Sequence, residues 1–286
     1  MTDRPDAGER ADVISGDLQR SLAARLRLRT WLPPLVAFVA LGVGWQLYAV
    51  NHPYVLPTIP EIFSSIWDSP AVFWDNALVT LQEVAVGAAC GMGAAFVLAV
   101  VMAEVRVVER ALMPLAVVLN VTPVVAIAPG LVVAFGFGML PKYLLTAIIV
   151  FFPFLVSSLA GLRDVDPPAV EVLRTLHASR WEILWRLRLP SSLPFLFAGA
   201  RICLPLSVVG AVVAELSAAG KLAGLGSLIE LSAQQADLRT IYASVFFLAV
   251  IGLLLTALVV FLQAKVLWWA DGADRRRTRR PTGPRR

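Results

Sequence analysis

The residues able to do chemistry crowd into one polar stretch, Gly161–Leu193, of a 286-residue chain. Asp166 followed by Pro167 and Pro168 has the form of a helix start: a capping carboxylate, then a first turn that needs no backbone donors. Ser179 with Glu182 three residues on is the spacing of a capping box, so a second helix begins there and His177-Ala178-Ser179 is a break. Glu171, Arg174, Thr175, His177, Ala178, Ser179 and Arg180 gather around that break. Glu182 and Arg186 have the i, i+4 spacing of a surface ion pair, and Trp181, Leu184, Trp185 and Arg188 share a helix face, before Pro190 and Pro194 end the helix. Two short amphipathic helices with a charged, exposed turn suit docking into a groove on a soluble partner. A helical hairpin lying on a membrane surface has the same pattern.

A second set of polar residues interrupts apolar runs. Asn120, Thr122, Pro123 and Pro129 break up a stretch that is otherwise apolar, and irregular backbone at membrane depth is tolerated only where protein or a water-filled path covers it. Arg201 is the single charge in its run, with Ser207 beyond it and Glu215 at the outer end. An intramembrane charge is either functional, paired, or close enough to an interface to snorkel. Asn120, Thr122, Arg201, Ser207 and Glu215 are therefore candidates for a translocation path; a packing kink, snorkelling and an interfacial carboxylate are the plain alternatives. The apolar runs hold no histidine and no paired carboxylates, which argues against a membrane-embedded enzyme and leaves no catalytic residue and no metal site to nominate.

The elements that must position these residues follow from composition. Fifty-eight per cent of the chain is apolar and only 16% charged, far from the balance of a soluble domain. Runs of about 20 apolar residues, enough to cross a bilayer core, fall at 31–50, 84–103, 111–135, 143–162, 193–214 and 241–264. This predicts an all-α membrane protein with six transmembrane helices. It divides into a tail over 1–30, a membrane domain over 31–268 carrying the polar loop 163–190, and a basic tail over 269–286. The first apolar run starts after thirty polar residues and has no small-residue cleavage site behind it, so it reads as a retained anchor. Of the 25 Lys and Arg residues, 21 fall in alternate segments: the 1–30 tail, the short 104–110 loop, the 163–190 loop and the segment from Lys265 onward. Three fall in the other loops. That asymmetry predicts both termini in the cytoplasm. The terminal arginines read as a solvated end drawn to anionic lipid rather than to nucleic acid.

On the opposite side, Ile59, Ile62, Phe63, Ile66 and Trp67 have helical spacing, with Pro60 near the start, either a short interfacial helix or a packed loop. Gly224-Leu225-Gly226 precedes another short helix that is either a cap or a connector. Gly87 and Gly91 form a G-x-x-x-G step, with Gly93 following. Neither this run nor Gly220-Lys221 has the context of a nucleotide-binding loop.

The run Glu171-x-x-x-Thr175-Leu176-x-Ala178-Ser179-Arg180-Trp181, closed by Leu189-Pro190, resembles the EAA loop of inner-membrane permeases of binding-protein-dependent ABC importers. Gly161-Leu-Arg-x-Val-Asp166-Pro167 before it, Val212-Val-Ala-Glu215 after it, and Leu56-Pro-Thr-Ile-Pro-Glu61 upstream resemble the nitrate/sulfonate/taurine branch. The resemblance implies the type I ABC importer permease fold, also called MetI-like. It implies a multi-pass subunit of a bacterial inner membrane, paired with a second permease subunit (a homodimer is the expected form). The implied partners are ATP-binding cassette ATPase subunits, which would carry the ATP and Mg, and an extracytoplasmic solute-binding protein. The chain itself would bind no cofactor and hydrolyse nothing. Glu171, Arg174, Thr175, His177, Ala178, Ser179 and Arg180 would form the ATPase-coupling contact. The cargo implied is a small anion such as a sulfonate, taurine or nitrate. The alternatives are a thiamine-precursor pyrimidine or other small organic solute, or a stand-alone secondary carrier. Two departures stand out: the alanines after the first Glu are Val172 and Leu173, and the usual turn Gly is His177.

Overall fold

The computed structural model describes residues 32–217 and 223–268, and every regular element among them is helical. The expected tails over 1–30 and 269–286, with Lys221, lie outside the described residues. The chain divides into two units, Met1–Ile62 and Phe63–Arg286. In the first, helix α1 (Leu32–Asn51) is followed by a short connection. Trp45 Nε1 donates to Pro57 O at 3.1 Å, and Ile59 N donates to Gln46 Oε1 at 3.0 Å. Glu61 accepts from Thr58 N at 2.9 Å, which starts helix α2 (Ile59–Asp68) where the helical spacing placed it.

The second unit is built on three long helices: α3 (Pro70–Glu104), α6 (Met139–Arg163) and α9 (Leu189–Ser217). Their shared core holds Ala95, Ala99, Met102, Val150, Leu155, Leu159, Leu162 and Cys203. The G-x-x-x-G step is where α3 meets α6. A Cβ on Gly87 would lie 2.5 Å from Thr146 Cβ, and one on Gly91 would lie 2.7 Å from Ala147 Cα. Small residues thus let the two backbones touch. Around these pack α4 (Arg106–Val121), α5 (Val124–Phe135), α10 (Leu225–Gln234) and α11 (Leu238–Val266). Phe247 of α11 stacks on Phe73 of α3 with centroids 5.5 Å apart, and Phe246 meets Phe63 of α2 edge-on at 5.5 Å.

Three expectations are corrected. The apolar run at 84–103 is only the inner part of a 35-residue helix that begins at Pro70. Its first turns carry Asp75, Asn76, Thr80, Gln82 and Glu83, polar residues that hide a helix from an apolar-run criterion. The run at 111–135 is two helices, α4 and α5, bent by 97°. Thr122 is extended (φ −68°, ψ 128°) because Pro123 bars it from the helical region, and Pro123 has no N–H to continue the ladder. Among the described residues five helices are thus long and apolar enough to cross a membrane unbroken, and there are six where the bent pair is taken as one span. Finally, Pro190 and Pro194 do not stop a helix: residues Arg180–Ser217 are helical throughout. A π turn over Leu184–Arg188, in which Leu189 N reaches back to Leu184 O, shifts the register just ahead of Pro190. The proline then enters as though at a first turn.

Candidate functional site

At one end of the bundle stands the hairpin formed by α7 (Pro167–Thr175) and α8 (Arg180–Ile183). Helix α7 starts at Asp166, but through its backbone: Ala169 N donates to Asp166 O at 3.0 Å, and the aspartate side chain makes no cap bond. The helix ends in a Schellman arrangement, with His177 N donating to Arg174 O and Ala178 N to Leu173 O, both at 3.0 Å. That arrangement requires a left-handed residue after the cap, and His177 supplies it with φ 57°. This is the physical reason for the turn glycine that the EAA resemblance leads one to expect; histidine is among the side chains that tolerate the conformation.

The capping box is complete. Glu182 N donates to Ser179 Oγ at 3.2 Å, and Ser179 N donates to Glu182 Oε2 at 2.8 Å. The backbone N–H and hydroxyl of Ser179 hold the Glu182 carboxyl below the usual carboxylate range. The carboxylate is therefore turned back to the cap, and the ion pair expected with Arg186 does not form. Ile183 and Leu184 point inward, whereas Trp181 and Trp185 remain exposed and meet edge-to-face at 5.8 Å. Two ion pairs tie this end together. Arg188 Nη1 reaches Glu104 Oε1 at 2.6 Å, joining the hairpin to the end of α3. Arg163 Nη1 reaches Glu109 Oε1 at 2.6 Å, joining α6 to α4 and holding the Glu109 carboxyl below its ordinary range. A cleft of about 750 Å³ between hairpin and bundle is lined by Arg106, Arg174, Arg180 and Arg188 with Glu104.

At the other end a buried charged cluster joins the three long helices. Lys142 of α6 pairs with Glu83 of α3 at 2.7 Å, and both side chains are at most 1% exposed. Glu215 of α9, also fully buried, neighbours both. Thr80 Oγ1 donates to Glu215 Oε1 at 2.7 Å.

The matching family model, described as binding-protein-dependent transport system inner membrane component, covers residues 91–267. The chain belongs to this family. It is 32% identical over 241 residues to the formylaminopyrimidine transport permease protein ThiX of Halalkalibacterium halodurans, covering 83% of this chain and 96% of that one. It is 29% identical over 250 residues to the putative aliphatic sulfonates transport permease protein SsuC of Bacillus subtilis, covering 85% and 90%. The fold matches a chain of the methionine ABC transporter MetNI, solved in inward facing conformations, with a TM-score of 0.55 at 16% identity, over 71% of this chain and 98% of that one. The permease is thus a non-catalytic membrane subunit of an ABC importer, and ATP hydrolysis belongs to a partner subunit.

In this permease the structure gathers the candidate coupling residues on one hairpin. Glu171, Arg174, Thr175, His177, Ser179 and Arg180 are exposed there, and Ala178 is half-buried. Thr175 Oγ1 donates to Val172 O of its own helix at 2.7 Å. The five path candidates occupy unlike environments. Asn120 is exposed beside the α4–α5 bend, where Thr122 Oγ1 donates to Val118 O at 2.8 Å. Arg201 is exposed on α9 and makes no ion pair among the described residues. Ser207 is buried and donates to Leu204 O at 2.6 Å within its own helix, and Glu215 is locked in the cluster. Sequence reasoning missed Glu83, Thr80 and Lys142, because the first two lie outside the apolar run and the last reads as a loop charge. It also found no paired carboxylates, yet Glu83 and Glu215 are brought together by spans far apart in sequence. Among the described residues, no group of three His, Cys, Asp or Glu side chains is placed to hold a metal.

Proposed function

We propose that this permease spans a bacterial inner membrane with both termini cytoplasmic, pairs with a second copy of itself, and docks its α7–α8 hairpin on the ATP-binding subunit. The orientation rests on the 21-to-3 asymmetry of Lys and Arg. The observation that carries the coupling role is the capped turn itself: it presents Glu171, His177, Ser179 and Arg180 to solvent on a hairpin that is ion-paired to α3 through Arg188. ATP-driven closure of the partner, pushing on this hairpin, moves the long helices between two arrangements that open to opposite sides. A solute-binding protein delivers cargo from outside, and solute and nucleotide then bias the same two-state element.

The cargo is a small solute. Arg201, exposed and without a carboxylate partner on α9, favours an anion such as a sulfonate, taurine or nitrate. The relative named for formylaminopyrimidine transport favours a pyrimidine as the second reading. Proteoliposomes carrying the permease, its ATPase and its binding protein test both. ATP-driven uptake of labelled taurine, alkanesulfonate or nitrate supports the first, and uptake of formylaminopyrimidine alone supports the second. In the same vesicles Glu171→Arg with Arg180→Glu should abolish solute-stimulated ATP hydrolysis while the protein stays in the membrane. Unchanged stimulation would remove the hairpin from its assigned role.

A further inference from the structure

We infer that Glu83, Lys142, Glu215, Thr80 and Asn76 form a latch that grips the backbone of Ala223–Gly226 and lets it go during the transport cycle; this rests on the importer reading above. Four consecutive residues are held, each by a different side chain. Lys142 Nζ donates to Ala223 O at 3.2 Å. Gly224 N donates to Asn76 Oδ1 at 2.7 Å, and Leu225 N to Thr80 Oγ1 at 2.9 Å. Gly226 N donates to Glu215 Oε2. The anchors come from α3, α6 and α9 together, and the segment they hold is the start of α10.

Charge explains why this grip is all-or-none. Two buried carboxylates and one buried ammonium stand together in a medium that solvates charge poorly, so each depends on its neighbours for compensation. The N-terminus of α10 offers the compensation: its Gly226 N–H donates to Glu215, and the positive end of its dipole lies there. If α10 leaves, Glu215 loses its backbone donor. If any of the three long helices shifts, the cluster loses a charge or a bond. Docking of α10 and the mutual placement of α3, α6 and α9 are therefore one equilibrium. The backbone comes this close only because residues 224 and 226 lack side chains. A Cβ on either would run into the Glu215 carboxyl, and Gly224 has φ 141°.

Two observations turn an anchor into a latch. Glu83 Oε2 is buried beside the Glu215 carboxyl and accepts from no N–H or hydroxyl donor among the described residues. A buried polar group is expected to find a donor in the state that holds it best. Further, α3 runs without a break from Asn76 and Thr80 at the latch to Glu104 at the hairpin, about 40 Å at 1.5 Å per residue. A push on the hairpin therefore reaches the latch through one helix.

The test uses the full transporter, with its ATPase and binding protein, in nanodiscs. Cys90 and Cys203 are replaced by alanine, and spin labels are placed at exposed Trp74 on α3 and Leu231 on α10. The latch predicts a label distance that differs between the nucleotide-free and vanadate-trapped states. In Glu215→Gln the nucleotide-free distribution broadens and ATP-driven uptake falls about tenfold, the scale of one lost bond to a charged group. Thr80→Val, which removes the relay and no charge, should do the same more mildly and serves if Glu215→Gln does not assemble. An identical distance in both states of a transporting wild type would make the cluster a fixed anchor and overturn the latch alone. A wild type that takes up nothing on ATP would overturn the importer reading, and the latch with it.

Discussion

The ammonium of Lys142 lies 2.7 Å from the carboxylate of Glu83, with both side chains shut away from solvent between α3 and α6. Such a pair adds little net stability, because desolvation offsets most of the attraction, but breaking it leaves one uncompensated charge. Lys142→Met, which leaves Glu83 and Glu215 without a cation, should therefore destabilise the purified permease by about 3–5 kcal/mol, and Glu83→Leu by less, because Glu215 still neighbours Lys142. Both together should cost less than the sum of the two. Thermal unfolding in detergent, run as a double-mutant cycle, measures the coupling, and additive losses would mean that the two residues do not act as a pair.

His177 holds a left-handed conformation that glycine adopts without cost. His177→Gly is expected to leave the hairpin as stable as in the wild type or slightly more so. His177→Val, with a branched Cβ in the same conformation, should weaken it by about 1–2 kcal/mol. Hydrogen exchange at the His177 and Ala178 amides, which close the Schellman bonds, reads this directly. Equal protection in all three proteins would show that the turn carries no strain.

Much of this was legible in local sequence. Ser179 and Glu182 announce the second helix of the hairpin, and the structure makes both halves of that box. Gly87 and Gly91 announce a close helix contact, and they make one with Thr146 and Ala147. What local spacing could not carry was assembly across the chain. Lys142 reads as a loop cation until Glu83, 59 residues earlier, is placed beside it. Glu215 reads as an interfacial acid until Thr80 and Gly226 close around it. The 97° bend at Thr122-Pro123 was foreshadowed by the proline, but its size depends on packing rather than on the residue.

The capping box also sets a pH dependence. Ser179 favours the ionised form of Glu182, whose carboxyl lies below its ordinary range. Its contribution is fully present above the ordinary carboxylate pKa and is lost as pH falls through the lowered value. The amides of Ser179 and Glu182 should therefore stay protected as the solution is acidified through the ordinary carboxylate range, and open only below it. In Ser179→Ala the Glu182 amide should exchange faster at every pH, since its acceptor is gone, whereas the amide of residue 179 keeps the Glu182 carboxylate as its acceptor. Loss of protection in the wild type already near neutral pH would place the control elsewhere than in Glu182.

Gly91 and Gly93 lie two residues apart on α3 and should respond oppositely to the same change. A methyl group at Gly91 meets the backbone of Ala147 and the side chain of Val150, and neither can move away without separating α3 from α6. Gly91→Ala is expected to cost about 1–3 kcal/mol, as overpacking of a close-packed contact does. At Gly93 no heavy atom lies within 4 Å of the added Cβ, so alanine only gains helix propensity. Gly93→Ala should be neutral or stabilising by up to about 1 kcal/mol. Midpoints of thermal unfolding for the two variants decide the matter. A loss at Gly93 as large as that at Gly91 would mean that the face bearing Gly93 is covered by a second protein chain, which makes this pair of variants a test of the proposed self-association as well as of the α3–α6 contact.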